Sequence, residues 1–259
     1  MDLTPTLSEP APWVLIAAAA LLGFGAFVKG AVGFALPMIA VTGLSFFLTA
    51  QEAIALLLIP SCVANIWQTM RQGWKAASET FVRWMPVNLT MAVFLALTAQ
   101  FVPVIPSDAI YGLLGVVVIM AGLTQLLGWQ PRWQGEVRNR TFVEICVGVV
   151  AGIVGGLASV WGPIVLYYLV ACGTAKQEQV RVVGLLSMIG WLVLSGAHVS
   201  SGILNSVTLP LSAAMLVPVL VGMWIGLRIQ DRLNQQLFER LTLLVLIVAG
   251  LNLLRRALV

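Results

Sequence analysis

The stretch FVKGAVGFALP, residues 27–37, sets one lysine inside a long apolar run. Between Ala11 and Ala50, Lys29 is the sole charged side chain, with Gly25, Gly30, Gly33 and Pro37 close by. Either the lysine marks a water-facing turn, or it marks something bound within a membrane. Which of the two holds depends on how the surrounding chain folds.

Reading outward, hydrophobic residues make up 60% of the 259 residues and charged residues only 9%. A soluble domain carries about 25% charged residues, so this chain lacks the polar surface for one. Uncharged windows recur at 11–28, 30–51, 53–70, 84–107, 109–131, 145–175 and, interrupted only by His198, 182–227. A bilayer core takes roughly 20 apolar residues to cross as a helix. The composition therefore predicts an all-α polytopic membrane protein. The pI near 9.3 does not point to nucleic acid, because the basic residues fall in short loops between spans, where they set orientation. The tail MDLTPTLSEP, residues 1–10, has no basic residue to open a cleaved signal, so the first apolar segment is expected to be retained. Cys62, Cys146 and Cys172 show no metal or redox spacing and are expected to act as buried, small apolar residues.

The chain resembles itself. At an offset of 126, Gly30 meets Gly156, Pro37 meets Pro163, Gln51 meets Gln177, Glu52 meets Glu178 and Ser61 meets Ser187. At an offset of 128, VIMAGLTQLL (118–127) meets LIVAGLNLLR (246–255). Two transmembrane repeats follow, 11–128 and 141–259, joined by a cytoplasmic linker at 129–140. Charge sets their relation, because cytoplasmic loops collect Lys and Arg. If each half opens with a single span, the repeats are parallel and five basic residues fall outside against eight inside. If each long first segment goes in and comes back, eleven fall inside and only Arg255 and Arg256 outside. The pattern favours two inverted repeats, each a broken helical hairpin followed by three transmembrane helices.

The first segments, 11–47 and 141–172, are too long for one helix across a core of roughly 30 Å. Hairpins of short or re-entrant helices are expected, broken at 29–33 and at 155–159, where glycines permit a tight backbone. Pro37 and Pro163 stand just beyond the breaks and cannot continue an earlier helix. Thr49 with Glu52 and Thr174 with Gln177 fit the S/T-x-x-E/Q capping box, so new helices should start near 50 and 175.

Paired broken helices in inverted repeats are the architecture of secondary transporters. A half-helix N-terminus suits an anion. The candidate substrate-binding residues are Lys29, Gly30, Gly33, Pro37, Asn65 and Gln68 in the first half, and Gly156, Ser159, Trp161, Gly162 and Pro163 in the second. Lys29 has no charged counterpart in the second half. Glu52 and Glu178 read as caps rather than proton carriers, and His198 as an interfacial residue. There is no P-loop, no metal-ligand cluster and no Ser/His/Asp set, so no enzyme, cofactor or metal is expected. The lipid bilayer is the expected surrounding partner. A coupling ion, proton or sodium, would supply the energy, and a homo-oligomer is left open.

Three runs carry a family resemblance: GFGAFVKGAVGFALPMIAV (23–41), TAQEAIALLLIPSCVANIWQ (49–68) and GVVAGIVGGLASVWGPIVLYYLVACG (148–173). They resemble the two half-signatures of the sulfite exporter TauE/SafE family, also called TSUP, over nearly the whole chain. The resemblance implies a multi-pass carrier of the bacterial inner membrane for a small sulfur-containing anion, sulfite or an organosulfonate such as sulfoacetate, and does not choose among them. Here the second glycine motif reads Gly155-Gly156-Leu157-Ala158-Ser159 rather than an unbroken glycine cluster. An uptake carrier, an anion channel and a non-transporting scaffold remain alternatives. In the scaffold reading, spacings such as Gly148-x-x-x-Gly152 are helix contacts.

Overall fold

The computed structural model describes residues 11–44, 46–99, 139–158, 161–200 and 205–258, with isolated positions between 112 and 127. The tail 1–10, most of the linker 129–140 and the segment 103–108 lie outside the described residues. Among those described, every element is a helix: α1 Pro12–Val32, α2 Leu36–Leu44, α3 Ala50–Met70, α4 Trp74–Arg83, α5 Met85–Ala99, α6 Arg140–Ala158, α7 Gly162–Ala171, α8 Lys176–Ser200, α9 Thr208–Ala214, α10 Leu216–Arg232 and α11 Gln235–Leu258. Among the described residues three stretches are long and apolar enough to cross a bilayer, Pro12–Val32, Glu52–Met70 and Thr208–Arg232. A fourth is reached if α4 and α5, bent by 76° at their junction, count as one. The chain is a multi-pass helical membrane protein.

Two compact units are present, and each interleaves distant parts of the chain. The first comprises residues 1–68 and 194–233, the second 69–193 and 234–259. The first joins α1, α2 and most of α3 to α9 and α10, and the second joins the bent pair α4–α5 to α6, α7, most of α8 and α11.

In the first unit, α1 opens with Pro12, whose missing N–H costs nothing in a first turn. It closes at Gly33, left-handed at φ 94°, whose N–H donates to the Lys29 carbonyl at 2.7 Å. Residues 33–35 form the break, and Ala35 is also left-handed at φ 84°. α2 then runs back along α1: Gly25 abuts Leu36, Gly43 abuts Leu21, and the Trp13 and Phe47 rings meet edge to face at 5.7 Å. The expected hairpin forms, but its first arm is not short, since α1 alone has 21 residues and spanning length. The break also falls later than 29–33. Gly30 is helical and lies against α10, where a Cβ would come within 2.6 Å of the Met223 carbonyl. Sequence does not separate a glycine needed for close packing from one needed for a turn.

In the second unit, α5 presents two opposite stripes. Val87, Met91 and Leu95 are fully buried, while Leu89, Val93 and Leu97 are about half exposed, as a lipid-facing stripe would be. α6 packs on α5 through Gly148 and Gly152, whose added Cβ atoms would meet the Val87 and Met91 carbonyls at 2.9 and 2.8 Å. The Gly148-x-x-x-Gly152 spacing is thus a helix contact, as the small-residue rule anticipates. α4 is too rich in polar residues, with Lys75, Ser78, Glu79 and Arg83, to lie in hydrocarbon. Its sharp bend from α5 suits a helix along the membrane surface, with exposed Trp74 as an interfacial anchor.

The caps came out unequally. α3 starts at Ala50 with the full box: the Thr49 N–H donates to Glu52 Oε2 at 3.0 Å, and the Glu52 N–H to Thr49 Oγ1 at 3.3 Å. α8 starts at Lys176, close to the expected position, but its first N–H donates to Gln235 Oε1 on α11 at 2.9 Å. That neighbouring helix replaces the Thr174–Gln177 box as cap. Glu178 is not a cap either, because it accepts the Trp84 indole N–H at 3.0 Å and pairs with Arg83 at 3.2 Å. Cys62 and Cys172 are half-buried, but Cys146 is exposed, against the expectation of three buried thiols.

Candidate functional site

Lys29 lies in the last turn of α1, four residues before Gly33, or about 6 Å along the axis at 1.5 Å per residue. It is 3% exposed. The water-facing turn is therefore excluded for this residue: the turn is at 33–35, and Lys29 is inside the helix that leads to it. Nor is it at the middle of its helix. Among the described residues its ammonium has neither an acidic partner nor a hydrogen-bond acceptor. Arg228, Asp231 and Arg232, the other described charges of this unit beyond Glu52, are exposed on the last turns of α10.

The break is held from α3. Gln68 Nε2 donates to the Gly33 carbonyl at 2.9 Å, capping an orphan acceptor at the end of α1. That bond also fixes the register. α3 runs in the same direction as α1, since its start follows Phe47, whose ring meets that of Trp13, and its end bonds to Gly33. Counting back from Gln68 and Gly33 at equal rise brings Asn65 level with Gly30 and Ser61 level with Ala26. Ser61, Asn65 and Gln68 share one face at i, i+4 and i+7, and all are buried. A helical side chain leans toward its own N-terminus, so the lysine leans toward the level of Ser61 and Asn65. Pro37 is in the first turn of α2, where its lack of an N–H is harmless, and this turn opens beside the break.

The second hairpin is built differently. α6 continues helical through Ala158, so Gly155 and Gly156 lie within the helix and not at a break. Ser159 lies outside the described residues. Gly162 and Pro163 open α7. Trp161 is 4% exposed and its indole N–H donates to Ser187 Oγ at 3.2 Å. Its ring lies against glycines: a Cβ on Gly155 or Gly190 would approach it to 3.0 or 2.9 Å. At the offset of 126, Lys29 corresponds to Gly155, Ala35 to Trp161 and Ser61 to Ser187. Where the first unit puts a long cationic chain on the helix and a methyl after the break, the second puts no side chain on the helix and an indole after it. Trp161 thus packs within its own unit, against glycines and bonded to Ser187. Trp161→Phe keeps most of the ring but strands the Ser187 hydroxyl. It is expected to cost about 1 kcal/mol in detergent unfolding, with Ser187→Ala adding little on top.

Of the first-half residues, Gly33 and Gln68 are joined by a hydrogen bond, Lys29 lies one turn before Gly33, Asn65 is buried on the same face of α3 as Gln68, and Pro37 is in the first turn of α2. The structure assigns Gly30 to the α10 contact. Sequence reasoning marked Ser61 only by its pairing with Ser187 at the repeat offset; the structure adds that it is buried, with a hydroxyl unpartnered among the described residues. Among the described residues no cluster of His, Cys, Asp and Glu could hold a metal ion.

The family model described as sulfite exporter TauE/SafE matches residues 16–253. No curated protein matches the chain, and no solved structure does.

Proposed function

This chain belongs to the sulfite exporter TauE/SafE family, and on that premise we propose that it is a secondary transporter exporting a small sulfur-containing anion, sulfite or an organosulfonate, across a bacterial inner membrane. The observation that carries the reading is Lys29, a buried cation beside a helix break with no acidic partner among the described residues. Holding a charge in a membrane segment is costly, and such residues mark substrate paths. The break supplies an anion's other needs, the opening turn of α2 and polar groups on α3.

Register supports export as the direction. The break lies at the end of α3 that leads into the basic loop 71–83, which the positive-inside rule assigns to the cytoplasm. An anion loaded there enters from inside, as an exporter requires. The two halves act as inverted repeats, and a proton or sodium gradient provides coupling. The packing glycines Gly30, Gly148 and Gly152 fit a scaffold equally well, but a scaffold leaves Lys29 without a role.

In proteoliposomes the purified protein is expected to move labelled sulfite with saturation, and unlabelled methanesulfonate is expected to compete. A flux that rises linearly with concentration would replace the carrier with a channel. Absence of flux for both anions would favour the scaffold.

A further inference from the structure

The charge balance at the first break goes further than the family does. We infer that the site takes a singly charged oxyanion, bound by Lys29 and by the Ser61 hydroxyl. The inference rests on the transporter reading above.

The first observation is the count of charge. Lys29 is the sole charged residue from Ala11 to Ala50, and the segment 53–70 that forms the rest of α3 has none. The side chains that share its level are neutral, Ser61 and Asn65, with Gln68 at the break. One buried cation neutralises one negative charge. A doubly charged guest would leave a full charge in the same dry place without a partner, which is the costly half of any broken buried pair. Neutral donors can share the spread charge of a sulfonate or of hydrogensulfite, but they do not cancel a second charge. Sulfate, sulfite in its dianionic form and sulfoacetate, which adds a carboxylate, are the species this balance rejects.

The second observation is Ser61 itself. It is 1% exposed, and its hydroxyl has no hydrogen-bond partner among the described residues. Several other helical hydroxyls in this protein are engaged on the backbone, although Thr242 Oγ1 on α11 is, like Ser61, without a partner among the described residues. Thr98 Oγ1 donates to the Phe94 carbonyl at 2.7 Å, and Ser212 Oγ to the Leu56 carbonyl at 3.2 Å. A buried hydroxyl left unmade is an unusual expense. Its repeat counterpart shows what fills that need in the other half, since Ser187 receives the Trp161 indole N–H at 3.2 Å. In the first half the residue matching Trp161 is Ala35, which has no donor to give. Ser61 stands on the same face as Gln68, which touches the break, and at the level toward which Lys29 leans. A bound oxyanion satisfies the hydroxyl and the ammonium together.

Methanesulfonate and sulfate make the test, because they share a tetrahedral shape and differ by one charge. Binding to the detergent-purified full chain is measured by titration calorimetry at neutral pH, for wild type, Ser61→Ala, Ser187→Ala and Lys29→Met. Methanesulfonate is expected to bind at least about tenfold more tightly than sulfate, given the cost of an uncompensated buried charge. Ser61→Ala is expected to weaken methanesulfonate about tenfold, the usual scale of a hydrogen bond to a charged group, with the ligand-free unfolding temperature unchanged. Ser187→Ala is expected to do the reverse, lowering that temperature and leaving affinity alone. Sulfate binding as tightly as methanesulfonate, or Ser61→Ala binding like wild type, would overturn the inference while leaving a transporter in place. Binding of either anion that survives Lys29→Met unchanged, or no binding of any anion, would overturn the transporter site itself.

Discussion

Lys29→Met is expected to abolish saturable anion transport while leaving the protein folded and at least as stable as wild type. Methionine keeps the length and flexibility of the lysine chain, so the space beside the break stays filled. What goes is the charge. On insertion scales a lysine at a helix centre costs roughly 2.5–3.5 kcal/mol, and somewhat less a turn from the end, so its removal relieves the membrane protein of a burden. A purely structural lysine with a paired carboxylate would behave the other way, because the carboxylate would be left stranded. Lys29 has no such partner among the described residues. The substrate, by contrast, loses its one compensating charge, and a hydrogen bond to a charged group is worth about 1.5–3 kcal/mol, or roughly ten- to more than a hundredfold in affinity. Initial rates in proteoliposomes and the unfolding temperature in detergent, taken on the same preparation, separate these effects. Transport at wild-type rates would return Lys29 to the bland role of one more positive charge near the basic face of the membrane.

How much of this was legible before the structure depends on what each residue had to do. The helical membrane class followed from composition, because 9% charge cannot clothe a soluble fold. The starts of α3 and α8 were legible to within a residue or so, since caps and apolar edges are local signals. The breaks were displaced because Gly30 and Gly33 look alike in sequence. Only one of them has a left-handed φ, and the other is needed by a helix almost two hundred residues away. The same distance hid the interleaving of the units, where α1 packs on α10 and α5 on α6. Pairing of that kind depends on which surfaces fit, and two glycine-rich helices advertise a close neighbour without naming it. At the site, Lys29 announced itself by charge, and Asn65 and Gln68 by spacing. Ser61 did not, because a serine in an apolar helix usually satisfies itself on the backbone. Its lack of a partner is visible only in three dimensions.

Gly226→Leu is expected to cost stability at or above the roughly 3 kcal/mol usual for severe overpacking, and to leave little monodisperse protein after extraction. The reason is where α10 touches α1. A Cβ at Gly226 would come to 2.1 Å from the Phe27 carbonyl oxygen and 2.9 Å from the Ala31 nitrogen; one at Gly222 would come to 2.1 Å from the Gly23 oxygen. These are backbone atoms, so no rotamer can yield and the helices must part. In lipid the loss is not recovered elsewhere, because helix association there depends on close packing and not on escape from water. Gly73→Ala is the matched control. Gly73 has φ 88° and ψ 161°, a backbone region held almost only by glycine, with open space around it, so an added methyl costs only backbone strain, about 1–3 kcal/mol. Equal stability of Gly226→Leu and wild type would mean that α1 and α10 do not meet closely, and the level of Lys29 in its unit would lose its support. The milder Gly226→Ala carries the argument to function. Its methyl pushes α1 outward by a fraction of its own width, and Lys29, flanked by the contacts at Phe27, Gly30 and Ala31, moves with the helix while Ser61 and Gln68 stay on α3. Transport should then fall by a larger factor than the unfolding temperature alone would suggest, because an anion held between two helices feels their separation directly.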